Sequence, residues 1–141
     1  MKVGIILCLI LLLTNVGCKK NNSNPVPSYA LDVTIDINLP SYINLTGVSG
    51  YAYVTGGSRG VIVYRRAIDD FVAFDRHSPA DVNGDCPQAL TPDVNNFLTL
   101  LDTCYDASFS LYDGSPISNS QFGLRQYQTI WDGTSKLRIY N

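Results

Sequence analysis

Leu31-Asp32-Val33-Thr34-Ile35-Asp36-Ile37-Asn38-Leu39 alternates apolar and polar side chains at every step. A period of two places the two sets on opposite faces of a strand, so this stretch predicts a β-strand with one wet face, ended by Pro40. The pattern recurs downstream. Ile43-Asn44-Leu45 reads as a short extended piece closed by Gly47, and Tyr51 to Thr55 as an alternating strand stopped by Gly56-Gly57-Ser58. Gly60 to Arg65 and Phe71 to Phe74 flank an Asp69-Asp70 turn, as in a hairpin. A long loop runs from Asp75 to Asn96 and carries Pro79, Gly84, Pro87 and Pro92. Phe97 to Leu101 and Ser108 to Leu111 read as strands, with Asp113-Gly114 as the next turn. Leu124 to Trp131 and Lys136 to Tyr140 form a last hairpin around Asp132-Gly133. No segment carries an apolar stripe of helical period and length. The fold class expected is all-β: a small antiparallel barrel or sandwich of roughly ten strands with long loops. No repeat and no second domain is visible.

Composition agrees. The 141 residues suit one domain. All 12 acidic residues are Asp, and 9 Tyr, 11 Gly and 7 Pro leave few strong helix formers. The formal charge of −2 offers no basic surface, so nucleic acid is not an expected partner. A single His, His77, excludes any site that needs two imidazoles from this chain.

The N-terminus reads as a targeting segment. Lys2 precedes an apolar run from Val3 to Leu13, too short for a mature span, which needs roughly 20 residues. A secretory leader is the better match. It ends in Leu13-Thr14-Asn15-Val16-Gly17-Cys18, which resembles a bacterial lipobox, although Asn15 stands where an aliphatic residue is usual. The expected organisation is a lipoprotein signal peptide over 1–17, a lipidated Cys18 with a polar tether over 18–28, and a β domain over 29–141. Cys8 leaves with the leader, and Cys86 and Cys104 remain as an even pair in an oxidising compartment.

From Phe71 to Tyr140 the residues resemble the Rieske fold. Val72-Ala73-Phe74-Asp75-Arg76 matches the strand and Asp turn before that family's first cluster loop. Phe109-Ser110-Leu111-Tyr112-Asp113-Gly114 matches the strand and turn after the second. The chain closes with Gly123-Leu124-Arg125-Gln126-Tyr127 and Leu137-Arg138-Ile139 around Asp132-Gly133, in the family's order. The Leu31 to Leu39 and Gly60 to Tyr64 strands stand where the family has its opening strands. The resemblance implies a domain built for a [2Fe-2S] cluster, which takes two Cys thiolates and two His imidazoles. Those positions fall here on Ser78, Ala80, Asp102 and Tyr105. No cofactor is therefore expected. The resemblance also implies that Cys86 and Cys104, one in each cluster loop, form the disulfide that ties such loops together.

Other constellations read more plainly. Cys86, Cys104, His77 and an Asp such as Asp102 match no compact zinc spacing, so no metal is expected. Asp102 and Asp106 read as solvated turn residues, and His77-Ser78 as neighbours that do not pair. Arg65, Arg66 and Arg76 read as surface charge, and Asn44-Leu45-Thr46 as a coincidental sequon. The function expected is that of a non-catalytic binding or accessory module, not an enzyme. It would be held at the bacterial periplasmic or outer membrane by its lipid, beside an envelope protein partner. The alternative is a Rieske-type electron carrier or oxidoreductase subunit. A small-ligand binder in the vacated loops is a third class.

Overall fold

A computed structural model describes residues 23–141; the expected leader over 1–17, Cys18 and the start of the expected tether lie outside the described residues. The domain is all-β. Its strands are β1 (Asp32–Asp36), β2 (Tyr51–Val54), β3 (Val61–Ala67), β4 (Asp70–Asp75) and β5 (Thr91–Pro92), then β6 (Thr99–Asp102), β7 (Ala107–Ser110), β8 (Pro116–Ser118), β9 (Gln126–Trp131) and β10 (Lys136–Tyr140). A curled six-stranded antiparallel sheet runs β1-β10-β9-β4-β3-β2. A second antiparallel sheet, β5-β6-β7-β8, is inserted in sequence between β4 and β9.

The opening alternation is explained by position. β1 lies at the sheet edge and pairs with β10, Ile35 opposite Leu137 and Val33 opposite Ile139. Its inner face joins a core with Leu45, Val63 and Tyr127, while its wet face carries Asp32–Arg138 and Asp36–Lys136 ion pairs. β3 and β4 instead form the wall between two cores. Val61, Val63 and Ala73 face the first core; Ile62, Tyr64, Val72 and Phe74 face a second, shared with Leu100, Phe109 and Leu111 of the small sheet. Strands covered on both faces have no reason to alternate, which is why these two read as continuous apolar runs.

Three local expectations are corrected. Ile43-Asn44-Leu45 is not extended: Pro40–Thr46 is a 3-10 helix with Pro40 at its start, where a fixed φ and missing N–H cost nothing. It drives Leu45 into the first core, fully buried. Its free C-terminal carbonyls need donors, and Arg65 supplies them, donating to the Leu45 and Thr46 carbonyls at 3.0 and 2.7 Å. Arg65 is therefore not surface charge: it is 7% exposed and its guanidinium lies 5.0 and 4.9 Å from the Phe71 and Trp131 ring centres. Finally, the tether docks before its expected end. Val26 is buried, Asn24 donates to the Gly123 carbonyl at 2.8 Å, and Arg125 Nε donates to the Val26 carbonyl at 2.9 Å. The 18–28 segment thus belongs partly to the domain.

Candidate functional site

Three loops meet at one end of the second core: 55–60 after β2, 76–90 after β4, and 103–106 after β6. Their junction is built on two buried carboxylates. Asp75 ends β4 and is wholly buried. Its Oδ2 accepts the Ser58 N–H at 2.6 Å and the Tyr127 hydroxyl at 2.8 Å. Its Oδ1 accepts the N–H groups of His77 at 2.8 Å and Arg59 at 3.2 Å. Gly57 makes this possible: its φ is +67°, and a Cβ there would sit 2.5 Å from Asp75 Oδ2 and 2.6 Å from the Tyr127 hydroxyl oxygen.

Asp81 organises the long loop in the same way. Its side chain is 1% exposed. Oδ1 accepts the Asp85 N–H at 2.9 Å and the Tyr105 hydroxyl at 3.1 Å. Oδ2 accepts the Cys86 N–H at 3.1 Å and Arg59 Nη2 at 3.2 Å, with His77 Nε2 at 3.4 Å. Burial pushes the Asp81 carboxyl up, but the N–H groups of Cys86 and Asp85, the Tyr105 hydroxyl and the His77 ring together hold it below the usual carboxylate range. Arg59 also reaches the Gly84 carbonyl at 3.2 Å, so one guanidinium ties the 55–60 loop to the long one.

Cys86 and Cys104 are disulfide-bonded, with Cα atoms 6.0 Å apart. The bond links the long loop to the 103–106 turn, and Gln88 Oε1 lies 3.6 and 3.4 Å from the two sulfurs. Asp102 is buried, contrary to its expected place among solvated turn residues. Its Oδ1 accepts the N–H groups of Cys104 at 2.8 Å and Tyr105 at 3.2 Å, while its Oδ2 is buried without a partner. Asp106 is exposed in the turn, at a φ of 52°.

Ser78, Ala80, Asp102 and Tyr105, the positions that the Rieske resemblance assigns to cluster ligands, do not fit an iron–sulfur cluster. Ser78 is buried and its Oγ accepts the Ala80 N–H at 3.2 Å. Ala80 has no donor atom, and the Tyr105 hydroxyl is committed to Asp81. The one imidazole is also committed: His77 Nδ1 lies 2.7 Å from Ser58 Oγ. Two thiolates and two imidazoles cannot be assembled from this set.

Ser58, His77 and Asp81 stand in a line that resembles a nucleophile, base and orienting acid, and the same contacts cross-link the 55–60 and 76–90 loops. The N–H groups of Ser58 and Arg59 already serve Asp75, leaving neither to stabilise a developing oxyanion at Ser58. Two surface depressions are formed by the described residues. One of about 450 Å³ is lined by Asn44, Val48, Ser49, Gly50, Tyr51 and Phe97. Another of about 250 Å³ lies between Pro79, Ala80 and Val82 and the 119–122 segment.

Sequence reasoning missed Ser58, Arg59, Asp75 and Asp81 as a group. Ser58 and His77 are 19 residues apart, and Tyr127 and Asp75 are 52 apart. No local pattern joins them; the only signal was the Gly56-Gly57 pair, read as a strand stop. No protein-family model matches this chain, and no curated protein and no solved structure matches it.

Proposed function

We propose that this chain is a lipid-anchored protein of the bacterial envelope whose Rieske-like domain has no cluster and acts as a non-catalytic binding or accessory module. The observation that carries this is the content of the two loops that the Rieske resemblance assigns to the cluster. They are closed on each other by the Cys86–Cys104 bond and filled with protein-only partners: Asp81 alone accepts from Asp85, Cys86, Tyr105 and Arg59. Loops filled in this way offer no ligand set for a cluster, which favours a role in contact rather than turnover.

Two measurements test the proposal together. The full chain, purified anaerobically in detergent from iron-replete cells, should show no iron–sulfur absorbance, no stoichiometric iron and no EPR signal after dithionite. A stoichiometric signal restores electron transfer as the leading function. Membrane fractionation then compares wild type with Cys18→Ser. A triacylated Cys gives stable retention, so the variant should leave the membrane fraction; retention without detergent removes the lipid anchor from the proposal.

A further inference from the structure

We propose that reduction of the Cys86–Cys104 disulfide creates a site for one thiophilic divalent cation of the Zn²⁺ class, held by both thiolates, the Asp102 carboxylate and the Gln88 amide oxygen. The sulfur atoms of Cys86 and Cys104 and a carboxylate oxygen of Asp102 all lie within 4.8 Å of one another. A tetrahedral zinc centre has Zn–S bonds of about 2.3 Å and Zn–O bonds of about 2.0–2.2 Å, so its ligand atoms stand about 3.3–3.8 Å apart. Opening the S–S bond frees both sulfurs to rotate toward that spacing.

The strongest pointer is Asp102. The residue is 6% exposed and its Oδ2 is buried with no hydrogen-bond donor. An unpartnered carboxylate oxygen away from water is costly, and a cation bound by this carboxylate would offset that cost. Its Oδ1 is pinned by the Cys104 and Tyr105 N–H groups, which fix the carboxylate's direction as outer-shell donors do in metal sites. Gln88 Oε1, 3.6 and 3.4 Å from the sulfurs, completes a four-donor set. Cys86 is buried and its backbone is held by Asp81, whereas Cys104 is exposed and gives an entry path. The mixed set excludes magnesium and calcium, which prefer oxygen alone, and selects zinc-like ions. His77, which the sequence grouped with these residues, stands outside the set: its Nδ1 pairs with Ser58 and its Nε2 faces Asp81 at 3.4 Å.

The redox step is ordinary thiol–disulfide exchange with a dithiol reductant. One reductant thiolate attacks the exposed Cys104 sulfur, the S–S bond breaks, and Cys86 leaves as a thiolate. The second reductant thiol displaces Cys104, giving an oxidised reductant and two reduced cysteines. Two electrons have moved, and metal binding then expels the two thiol protons. While the disulfide is intact both sulfur ligands are withheld, so the site is gated by redox state.

The test uses the full chain in detergent, reduced with a phosphine that is then removed under argon, and titrated with Co²⁺. One equivalent should bind, with the visible bands of tetrahedral cobalt and a thiolate-to-cobalt charge-transfer band, both abolished by Zn²⁺. Oxidised protein should show neither. Asp102→Asn, checked as folded in its disulfide form, should weaken Zn²⁺ competition by about tenfold or more. Absence of stoichiometric cobalt in reduced wild type overturns the site, whether or not the reduced chain stays folded. Equal binding by Asp102→Asn overturns it too, because thiols of an unfolded chain would bind without regard to that carboxylate.

Discussion

Asp81→Asn is the sharpest probe of the loop junction. The amide keeps the shape of the carboxylate but replaces one acceptor oxygen with an NH₂ donor. Either orientation meets two donors. In one the NH₂ faces the Asp85 N–H and the Tyr105 hydroxyl; in the other it faces the Cys86 N–H and the Arg59 guanidinium. Two charge-assisted hydrogen bonds are lost at about 1.5 kcal/mol or more each, so the variant should lose about 3 kcal/mol at neutral pH. With a urea slope of about 2 kcal/mol/M for a domain of this size, the unfolding midpoint should fall by about 1.5 M. The pH dependence has a definite sign. The folded carboxyl is held below its unfolded value of 3.8, so its contribution is complete above that value and is lost as pH falls through the lower folded one. The gap between wild type and variant should therefore be constant from neutrality down to about pH 5 and should close in stronger acid. A midpoint change under about 0.3 M, or a gap that persists undiminished in acid, refutes Asp81 as the charged hub of these loops.

Reduction of the disulfide should lower stability by about 3 kcal/mol, because the bond closes a loop between residues separated by 18 positions. Thermal unfolding with and without reductant in metal-free buffer reads this, and an unchanged melting temperature would show that the Asp81 network alone holds the loop. Tyr127→Phe should cost about 2 kcal/mol, since it removes the one hydroxyl donor to buried Asp75 among the described residues while three N–H donors remain. Burial, and then the Asp75 carboxylate beside it, raise the Tyr127 hydroxyl above its usual value of 10.0. Its stabilisation is thus present in full below pH 10.0 and is lost as pH rises toward the folded value. Denaturation followed above pH 10.0 should show a shallower alkaline loss in the variant; equal slopes would assign that loss to other groups.

The strands were legible because their signals are local. From Leu31 to Ile37 every second residue turns inward as the alternation predicts, although β1 itself ends at Asp36 and Leu39, expected in the strand, is exposed ahead of the 3-10 helix, and Asp132 closes the last hairpin by accepting the N–H groups of Thr134, Ser135 and Lys136 from within four residues. β8 was not anticipated: Pro116–Ser118 is three exposed residues whose only strand character is pairing with β7. Arg65 looked like surface charge because nothing near it in sequence shows that a 3-10 helix ends against its guanidinium.

The sequence by itself determined the all-β class, the positions of most strands and hairpin turns, and the lack of imidazoles for a Rieske centre. Periodicity, turn chemistry and ligand count are properties of short segments or of the chain's inventory, and they need no fold to be read. Only the tertiary structure decided which of twelve aspartates are buried and what they hold. Asp75 and Asp102 close apolar strands and Asp81 lies in a loop, yet nothing local separates them from exposed aspartates such as Asp106 as buried carboxylates. What sets the three apart is the set of donors brought to them by loops 55–60, 76–90 and 103–106, and those loops meet only because β3 and β4 carry a second sheet against their outer face. A carboxylate's burial depends on partners distant in sequence, so it is fixed by the packing of the whole domain.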